Sequence, residues 1–173
     1  MSWDRHVEHW IVGLRVGWLN WFFVGLSWIG SYGLVWIAIA LLLALLWRRP
    51  SLFFTVVAAD AAADVLAELG KVIVHRQRPF EHQLGPPTSS YSFPSGHAAT
   101  SFACATVLSA FAPRRRVAFF LLATLIALSR LYNGVHYPTD VVAGALLGVL
   151  VALTVVKAAS RTGRRLCRGI GAP

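Results

Sequence analysis

Acidic residues and cysteines are scarce in this chain. Of its 173 residues, seven are Asp or Glu and two are Cys, and charged residues of both signs make up 13%. Two cysteines, Cys104 and Cys167, are too few for a disulfide framework. Cys104 lies in an apolar run, where we expect a small buried hydrophobic residue. No cysteine or histidine spacing matches a zinc motif. A disulfide-stabilised domain and a structural zinc site are therefore both disfavoured.

Apolar residues take the place of the missing charges. They make up 57% of the chain, and the mean hydropathy is +0.62, well above the range of an ordinary soluble domain. Because a helix crosses a membrane with about 20 apolar residues, we read five spans near residues 31–47, 52–74, 96–112, 117–132 and 138–158. The predicted fold class is all-α, a polytopic membrane helix bundle that forms a single domain over residues 1–173.

The segment 3–29 combines tryptophans with charged residues and is harder to assign. Tryptophan at this density is typical of the membrane interface, so residues 1–30 are predicted to form one or two interfacial helices. A sixth span over the same residues is the alternative. The start MSWDRHVEHW lacks the pattern of a cleavable signal peptide. Residues 159–173 are predicted to be a basic cytoplasmic tail.

The net charge of +9 is better explained by membrane topology than by nucleic acid, because the basic residues lie between apolar runs. With five spans, ten of the sixteen Lys and Arg residues fall on one face: Arg48, Arg49, Arg114, Arg115, Arg116, Lys157, Arg161, Arg164, Arg165 and Arg168. Basic loops stay in the cytoplasm. The opposite face, with the loop 76–94, is therefore predicted to be extracytoplasmic.

Polar residues from three distant stretches are expected to meet on this outward face. The second span ends in KVIVHRQRPF, the third begins with PSGH, and the fourth and fifth are joined within SRLYNGVHYPTD. Charged side chains near a membrane are costly and usually mark function. The three stretches together supply Lys71, Arg78, Pro94, Ser95, Gly96, His97, Ser129, Arg130, His136 and Asp140.

The residue types in this set indicate phosphate chemistry. Lys71, Arg78 and Arg130 are three cations, and arginine forks suit phosphate oxygens. The third span begins near Ser95, so its free N–H groups face the same space. Gly96 has no side chain to keep an oxyanion from the backbone. Acidic residues are too few on this face for a two-metal site, so we predict metal-independent chemistry.

Two histidines imply two roles. Asp140 follows His136 at i+4, and a carboxylate beside an imidazole orients the ring and stabilises its cationic form. His136 is therefore the better nucleophile. His97 directly follows Gly96 and has no adjacent carboxylate, which makes it the better proton donor to the leaving oxygen.

These stretches also carry a family resemblance. Lys71 to Pro79 fits K-x6-R-P, Pro94 to His97 fits P-S-G-H, and Ser129 to Asp140 fits S-R-x5-H-x3-D. The chain resembles the type 2 phosphatidic acid phosphatase superfamily, which includes membrane lipid phosphatases and soluble vanadium haloperoxidases.

The resemblance implies an all-helical bundle, a covalent phosphohistidine intermediate and no cofactor. It implies His136 as nucleophile, Asp140 as its partner and His97 as acid, with phosphate bound by Lys71, Arg78, Ser95, Gly96, His97 and Arg130. Ser129 and Pro94 belong to the motifs without an assigned role. The short chain is similar to the small bacterial members of the bacitracin-resistance type, the undecaprenyl diphosphate phosphatases, and this similarity implies a place in the inner membrane of a bacterial cell. A polyprenyl diphosphate is therefore the leading substrate, and phosphatidic acid, phosphatidylglycerol phosphate and other prenyl-linked phosphates are alternatives.

Other interpretations remain open at this stage. A non-catalytic lipid-binding or transport protein could use the same fold, although intact His97, His136 and Asp140 argue against it. The G-x-x-x-G at Gly144 and Gly148 indicates close helix packing, within the chain or across a homodimer.

Residues outside the motifs are assigned structural roles. A solvated loop is predicted for His75, Arg76, Glu81 and His82. The acids of the second span are predicted to face other helices, with Glu68 orienting Lys71; they are Asp60, Asp64 and Glu68. A proton path along these acids is the alternative.

Overall fold

The computed structural model describes residues 2–79, 83–85 and 90–169, without the side chains of Ser2, Tyr32 and residues 162–169. Seven α-helices occupy this part of the chain: α1 (Ser2–Gly13), α2 (Gly17–Ile29), α3 (Leu34–Leu46), α4 (Pro50–Val74), α5 (Gly96–Phe111), α6 (Arg116–Tyr132) and α7 (Pro138–Gly169). Short 3₁₀ turns at Ser31–Gly33 and Pro113–Arg115 precede α3 and α6. No β-strand occurs among the described residues, and the predicted all-helical class is confirmed.

Helices α3 to α7 correspond to the five predicted spans. Pro50 begins α4 and Pro138 begins α7, at positions where a missing N–H costs the helix nothing. Pro113 follows Ala112, the C-cap residue of α5, and begins the next turn. At the other end, α7 continues to Gly169 and so includes most of the segment assigned to the basic tail. Residues 170–173 lie outside the described residues.

The interior of the bundle is built from small residues, and large apolar residues face outward. Most of the fully buried apolar residues are alanines from α3 to α7, whereas Val, Leu and Ile side chains on the same helices are exposed. This distribution is typical of helices packed in lipid, where close backbone approach replaces the hydrophobic effect. On α4 the buried positions Thr55, Ala59, Ala63 and Ala67 recur every four residues and continue to Lys71. The packing stripe thereby carries the Lys71 amine into the bundle.

Helices α5 and α7 pack with almost no space between their backbones. A Cβ atom added at Gly148 would collide with the carbonyl oxygen of Ala99, and one at Gly144 with the carbonyl oxygen of Ser95. The amide of Ser95 also donates a 3.0 Å hydrogen bond to the carbonyl of Asp140. The G-x-x-x-G pattern thus serves a contact within the chain.

Two segments of the described chain meet length and hydropathy criteria for crossing a membrane. One is Pro138–Arg161 of α7, and the other is α2 together with α3, which are bent by 60° at the intervening turn. Five tryptophans on α1 and α2 are exposed, namely Trp3, Trp10, Trp18, Trp21 and Trp28, whereas Trp36 is fully buried. Exposed tryptophans of this kind suit a membrane interface.

The ends of the bundle differ in charge and composition. At one end the Arg115 guanidinium lies 5.5 Å from the centre of the Trp47 ring, so the basic breaks after α3 and α5 are neighbours. At the opposite end, α4 and α6 finish and α5 and α7 begin. Helix α1 lies against this second end, because Asp4 contacts the backbone N–H of Thr139 at the start of α7.

Candidate active site

The motif residues predicted from sequence come together at the end of the bundle where α5 and α7 begin. Most of their side chains are buried, and the buried polar set includes Lys71, Arg78, Ser95, Ser129, Arg130, His136 and Asp140. Such a concentration of buried polar and ionisable groups requires a purpose beyond packing. Each predicted residue can be placed within this cluster by its contacts.

Arg78 and His136 form the centre of the cluster. Arg78 lies on the segment that follows α4, and its Nη1 lies 3.1 Å from His136 Nε2. The same nitrogen donates to the Val135 carbonyl at 2.8 Å. Its Nε donates to the Ser90 carbonyl at 2.7 Å, and Nη2 donates to Ser90 Oγ at 2.9 Å. The guanidinium is thus fixed in one plane against the imidazole.

The opposite edge of the His136 ring, at Nδ1, faces the backbone and Asp140. Nδ1 lies 2.8 Å from the Ser92 carbonyl oxygen, which can only accept, so Nδ1 carries the proton. Asp140 Oδ2 lies farther away, 3.6 Å from Nδ1, and accepts from the Tyr137 backbone N–H at 2.9 Å. Consequently the unprotonated Nε2 is the nitrogen directed toward Arg78. Asp140 contributes a negative charge behind the ring.

The surroundings of His136 favour its neutral form. Its side chain is 2% exposed, and burial is the main cause that holds the pKa of His136 well below the usual imidazole value. The nearby cations Arg78, Arg130 and Lys71 lower this pKa further. A neutral imidazole with an unprotonated Nε2 is the form that can attack an electrophile.

The PSGH stretch connects α4, α5 and α7. Pro94 packs against Gly70 so closely that a Cβ at Gly70 would meet its ring. Ser95 is fully buried, and its side chain caps no helix N–H. Gly96 lies beneath the Lys71 amine, whose Nζ is 3.7 Å from the place a Cβ would occupy. His97 Nε2 lies 3.3 Å from Ser31 Oγ, a hydroxyl between α2 and α3.

Arg130 and Ser129 end α6 inside the same cluster. Arg130 Nη1 donates to Ser27 Oγ of α2, whereas Ser129 Oγ donates to the Ile126 carbonyl within its own helix at 2.6 Å. Within the described part of the chain, three buried side-chain atoms have no hydrogen-bond partner: Ser95 Oγ, Arg130 Nε and Asn133 Oδ1. Two of these belong to residues predicted to bind phosphate. Buried polar atoms without partners are rare and indicate an unfilled binding function.

Lys71 is the third cation of the cluster. Its amine forms an ion pair with Glu68, one turn earlier on α4, as the sequence suggested. The Glu68 side chain is 55% exposed, so solvent screens this pair and it is weak. Lys71 can therefore leave Glu68 for a stronger anion.

The sequence missed several residues that contact the predicted site. Arg76, assigned to a solvated loop, forms ion pairs with both Asp140 and Asp4. Ser27 and Ser31 contact Arg130 and His97 from the α2 side. A lone serine in an apolar helix carries no sequence signal for such a contact. For Arg76 the signal was its position two residues before Arg78. Glu81 and His82 lie outside the described residues.

Two open cavities border the site on the α1 side. The larger, about 580 Å³, is lined by Asp4, Arg5, Val74, His75, Arg76, Gln77, Phe93 and Tyr137. The smaller, about 260 Å³, is lined by Arg5, Glu8, His9, Gln77, Arg78, Pro79 and Tyr137. Because Arg78 lines the smaller cavity, that cavity gives solvent a route to the cluster.

The other two acids of α4 lie one and two turns before Glu68, where Asp60 is half-buried and Asp64 is exposed. Asp60 accepts a 3.5 Å contact from the Cys104 thiol and sits against Gly33. Cys104 is fully buried, as predicted. Asp64 Oδ1 lies 3.8 Å from the Cβ position of Gly96. Across the described residues, His, Cys, Asp and Glu side chains form no group of three that could hold a metal ion.

Comparison with known proteins identifies relatives across most of the chain. Residues 50–164 match the PAP2 superfamily. An undecaprenyl-diphosphatase of Sulfolobus acidocaldarius is 35% identical over 129 residues, which cover 71% of this chain and 63% of that protein. A decaprenylphosphoryl-5-phosphoribose phosphatase of Mycobacterium tuberculosis is 38% identical over 138 residues, covering 76% of this chain and 75% of that protein. The chain thus spans somewhat less than two thirds of the Sulfolobus relative.

The fold is shared with a solved structure. The crystal structure of Aquifex aeolicus LpxE superimposes with a TM-score of 0.76 and 31% sequence identity, covering 88% of this chain and 93% of that one.

Proposed function

This chain is a member of the PAP2 superfamily and a membrane protein, and on that premise we propose that it is a metal-independent lipid phosphatase. Its substrate would be a polyprenyl diphosphate, which it would hydrolyse to the monophosphate through a phosphohistidine on His136. The named phosphatases among its relatives support the reaction class. The cluster around Arg78 and His136 supports the mechanism.

One observation carries this proposal. The unprotonated Nε2 of His136 faces Arg78 at 3.1 Å, and the unpartnered Ser95 Oγ and Arg130 Nε are buried in the same cluster. A phosphoryl group presents the oxygens that these donors lack, and it presents a phosphorus atom to Nε2. Arginine guanidinium groups and a helix N-terminus are the donors that bind phosphate oxygens most readily.

The reaction would proceed in two displacements. Nε2 of His136 attacks the terminal phosphorus, the bond to the leaving oxygen breaks, and His97 gives that oxygen a proton. The lipid monophosphate then leaves. His97 next takes a proton from water, the water oxygen attacks the phosphohistidine, and inorganic phosphate and neutral His136 are released. Arg78, Arg130 and Lys71 stabilise the charge on the transferring group in both steps.

A second substrate class has specific support. The decaprenylphosphoryl-5-phosphoribose phosphatase matches a larger share of both proteins than the undecaprenyl-diphosphatase does. A phosphorylated sugar on a prenyl carrier is therefore the second candidate. Phosphatidic acid and phosphatidylglycerol phosphate share the terminal phosphomonoester and complete the panel of substrates to be compared.

The orientation of the site is part of the proposal. The ends of α3 and α5 carry Arg48, Arg49 and the run 114–116, whereas the site lies at the opposite end of the bundle. By the positive-inside rule the site would face the extracytoplasmic side of a bacterial inner membrane. Single cysteines at His75 and Arg114, in a chain without its native cysteines, would test this. A membrane-impermeant maleimide should label His75→Cys on intact cells and Arg114→Cys only after lysis, and the reverse pattern would contradict the orientation.

Phosphate release from purified protein tests the activity itself. We expect hydrolysis of a polyprenyl diphosphate that persists with chelator, and a loss of at least about three orders of magnitude in His136→Ala. A 32P-labelled substrate should leave label on the His97→Ala protein and none on His136→Ala. Full activity of His136→Ala, or loss of wild-type activity with chelator, would contradict the mechanism. Binding of the lipid without turnover would instead favour a lipid-binding protein.

A further inference from the structure

Arg76 connects three elements around the candidate nucleophile. Its Nη1 donates to Asp140 Oδ1 at 2.6 Å and its Nη2 donates to Asp4 Oδ2 at 2.7 Å. Nη1 also donates to Thr139 Oγ1 at 2.6 Å. The guanidinium lies 4.2 Å from the centre of the Tyr137 ring. One side chain thus joins the segment after α4 to the first turn of α7 and to α1.

The Asp4 side of this contact is equally well formed. Asp4 accepts from the Thr139 hydroxyl at 2.6 Å and from the Thr139 backbone N–H at 3.2 Å. Burial disfavours the charge of Asp4, but the hydrogen bonds from Thr139 and Arg76 outweigh it and hold the pKa of Asp4 below its usual value. Asp4 is therefore an anion that satisfies the second half of the Arg76 fork. Without it, one N–H pair of a half-buried guanidinium would have no carboxylate.

The two arginines of the RQR segment lie on either side of His136 and Asp140. Residues 75–79 form neither helix nor strand, and His75 at their start has a positive φ of 51°. Arg78 contacts His136 at Nε2, and Arg76 contacts Asp140 at Oδ1. The short segment 76–78 therefore carries both the cation that faces Nε2 and the arginine that contacts the carboxylate behind the ring.

We propose that Arg76 is a positioning residue for the reaction, and that Asp4 of α1 holds it in place. Arg76 fixes the Asp140 carboxylate, which is fully buried and 3.6 Å from Nδ1 of His136. It has no contact with the phosphoryl group and acts through Asp140. Through Asp4, helix α1 thereby helps to position the groups of the active site. This inference rests on the proposed phosphatase activity.

The test compares three variants of the full-length protein in lipid nanodiscs: Arg76→Gln, Arg76→Lys and Asp4→Asn. Arg114→Gln, which removes an exposed arginine at the opposite end, is the matched control. Turnover is expressed per vanadate-binding site, so that unfolded protein does not count. We expect kcat of Arg76→Gln to fall about 10- to 100-fold with little change in KM, as when a group that orients a reacting ligand is lost. Lysine keeps the positive charge but lacks the planar fork of donors that arginine presents, so Arg76→Lys should recover part of kcat.

Asp4→Asn should lower kcat by a smaller factor than Arg76→Gln. In the double variant its effect should largely disappear, because the two residues act through one contact. Three results would overturn the proposal: an unchanged kcat per site in Arg76→Gln, a rise in KM alone, or additive losses in the double variant. A rise in KM alone would make Arg76 a substrate contact.

A physical measurement separates this proposal from the proposed function. In 15N-histidine-labelled protein, the His136 signals can be identified with His136→Gln. Arg76→Gln should shift them, and Arg114→Gln should not, whether or not the right substrate is in hand. If wild-type protein hydrolyses none of the lipid phosphates, the proposed function fails. If the His136 signals do not respond to Arg76→Gln, the positioning role fails.

Discussion

The contact between α5 and α7 predicts a strong effect for the smallest possible side-chain addition. In Gly148→Ala the new methyl group would meet the Ala99 carbonyl and lie 2.9 Å from the Ala103 amide nitrogen. Both are backbone atoms, so relief requires the helices to move apart. Overpacking of this kind costs up to about 3 kcal/mol, and the better helix propensity of alanine offsets about 1 kcal/mol. We therefore expect a net loss of about 2 kcal/mol.

The assay is thermal unfolding of purified protein in detergent. A loss of about 2 kcal/mol should lower the midpoint by roughly 4–8 °C for a chain of this size. Gly25→Ala is the matched control, since a Cβ there meets nothing within 4 Å, and its midpoint should stay or rise. Gly144→Ala lies one turn nearer the site and pushes on the Ser95 carbonyl, so it should also lower kcat. A Gly148→Ala protein that melts with or above wild type would refute the packing argument.

Three further predictions concern the site. Burial and then Arg78 lower the pKa of His136, so the pH profile of wild-type kcat/KM should keep its plateau below pH 6.5. In Arg78→Gln the acid limb of that profile should move to higher pH. Ser95→Ala should weaken inhibition by vanadate about 10- to 100-fold, because it removes one hydrogen bond to a charged group. Its melting temperature should not change, because Ser95 Oγ has no partner in the described structure. Glu68→Gln should tighten vanadate inhibition about two- to five-fold by freeing Lys71 from a screened ion pair; weaker inhibition would show that Glu68 instead orients Lys71.

The sequence was sufficient for the helices and for the motif residues because their signals are local. Apolar runs of the right length, with Pro50, Pro113 and Pro138 at the breaks, specify where α4 to α7 begin and end. The spacing of Arg78, His97 and His136 within three motifs predicts one cluster, and the structure brings these residues to the same end of the bundle. The buried stripe of α4 explains why Lys71 points inward.

The contacts that the sequence did not predict are those made between distant segments. Nothing in MSWDRHVEHW indicates that Asp4 meets Arg76, because the docking of α1 depends on tertiary packing. The contacts of Ser27 and Ser31 are not predicted by the sequence either, since a serine hydroxyl in an apolar segment can bond to its own backbone, as that of Ser129 does. The loop assignment of Arg76 followed from its neighbours alone. Only the structure shows that it reaches a buried carboxylate.

The division of charge within the site explains why two arginines so close in sequence differ in role. Arg76 is balanced by Asp4 and Asp140, and Lys71 is balanced in part by Glu68. Within the described residues, Arg78 and Arg130 form no ion pair with a carboxylate, and the positive charges of both act on His136 and lower its pKa. Two positive charges match a phosphoryl group that carries two negative ones. A carboxylate near Arg78 would compete with that group, so the anions of the site are placed behind the ring, where Arg76 holds Asp140.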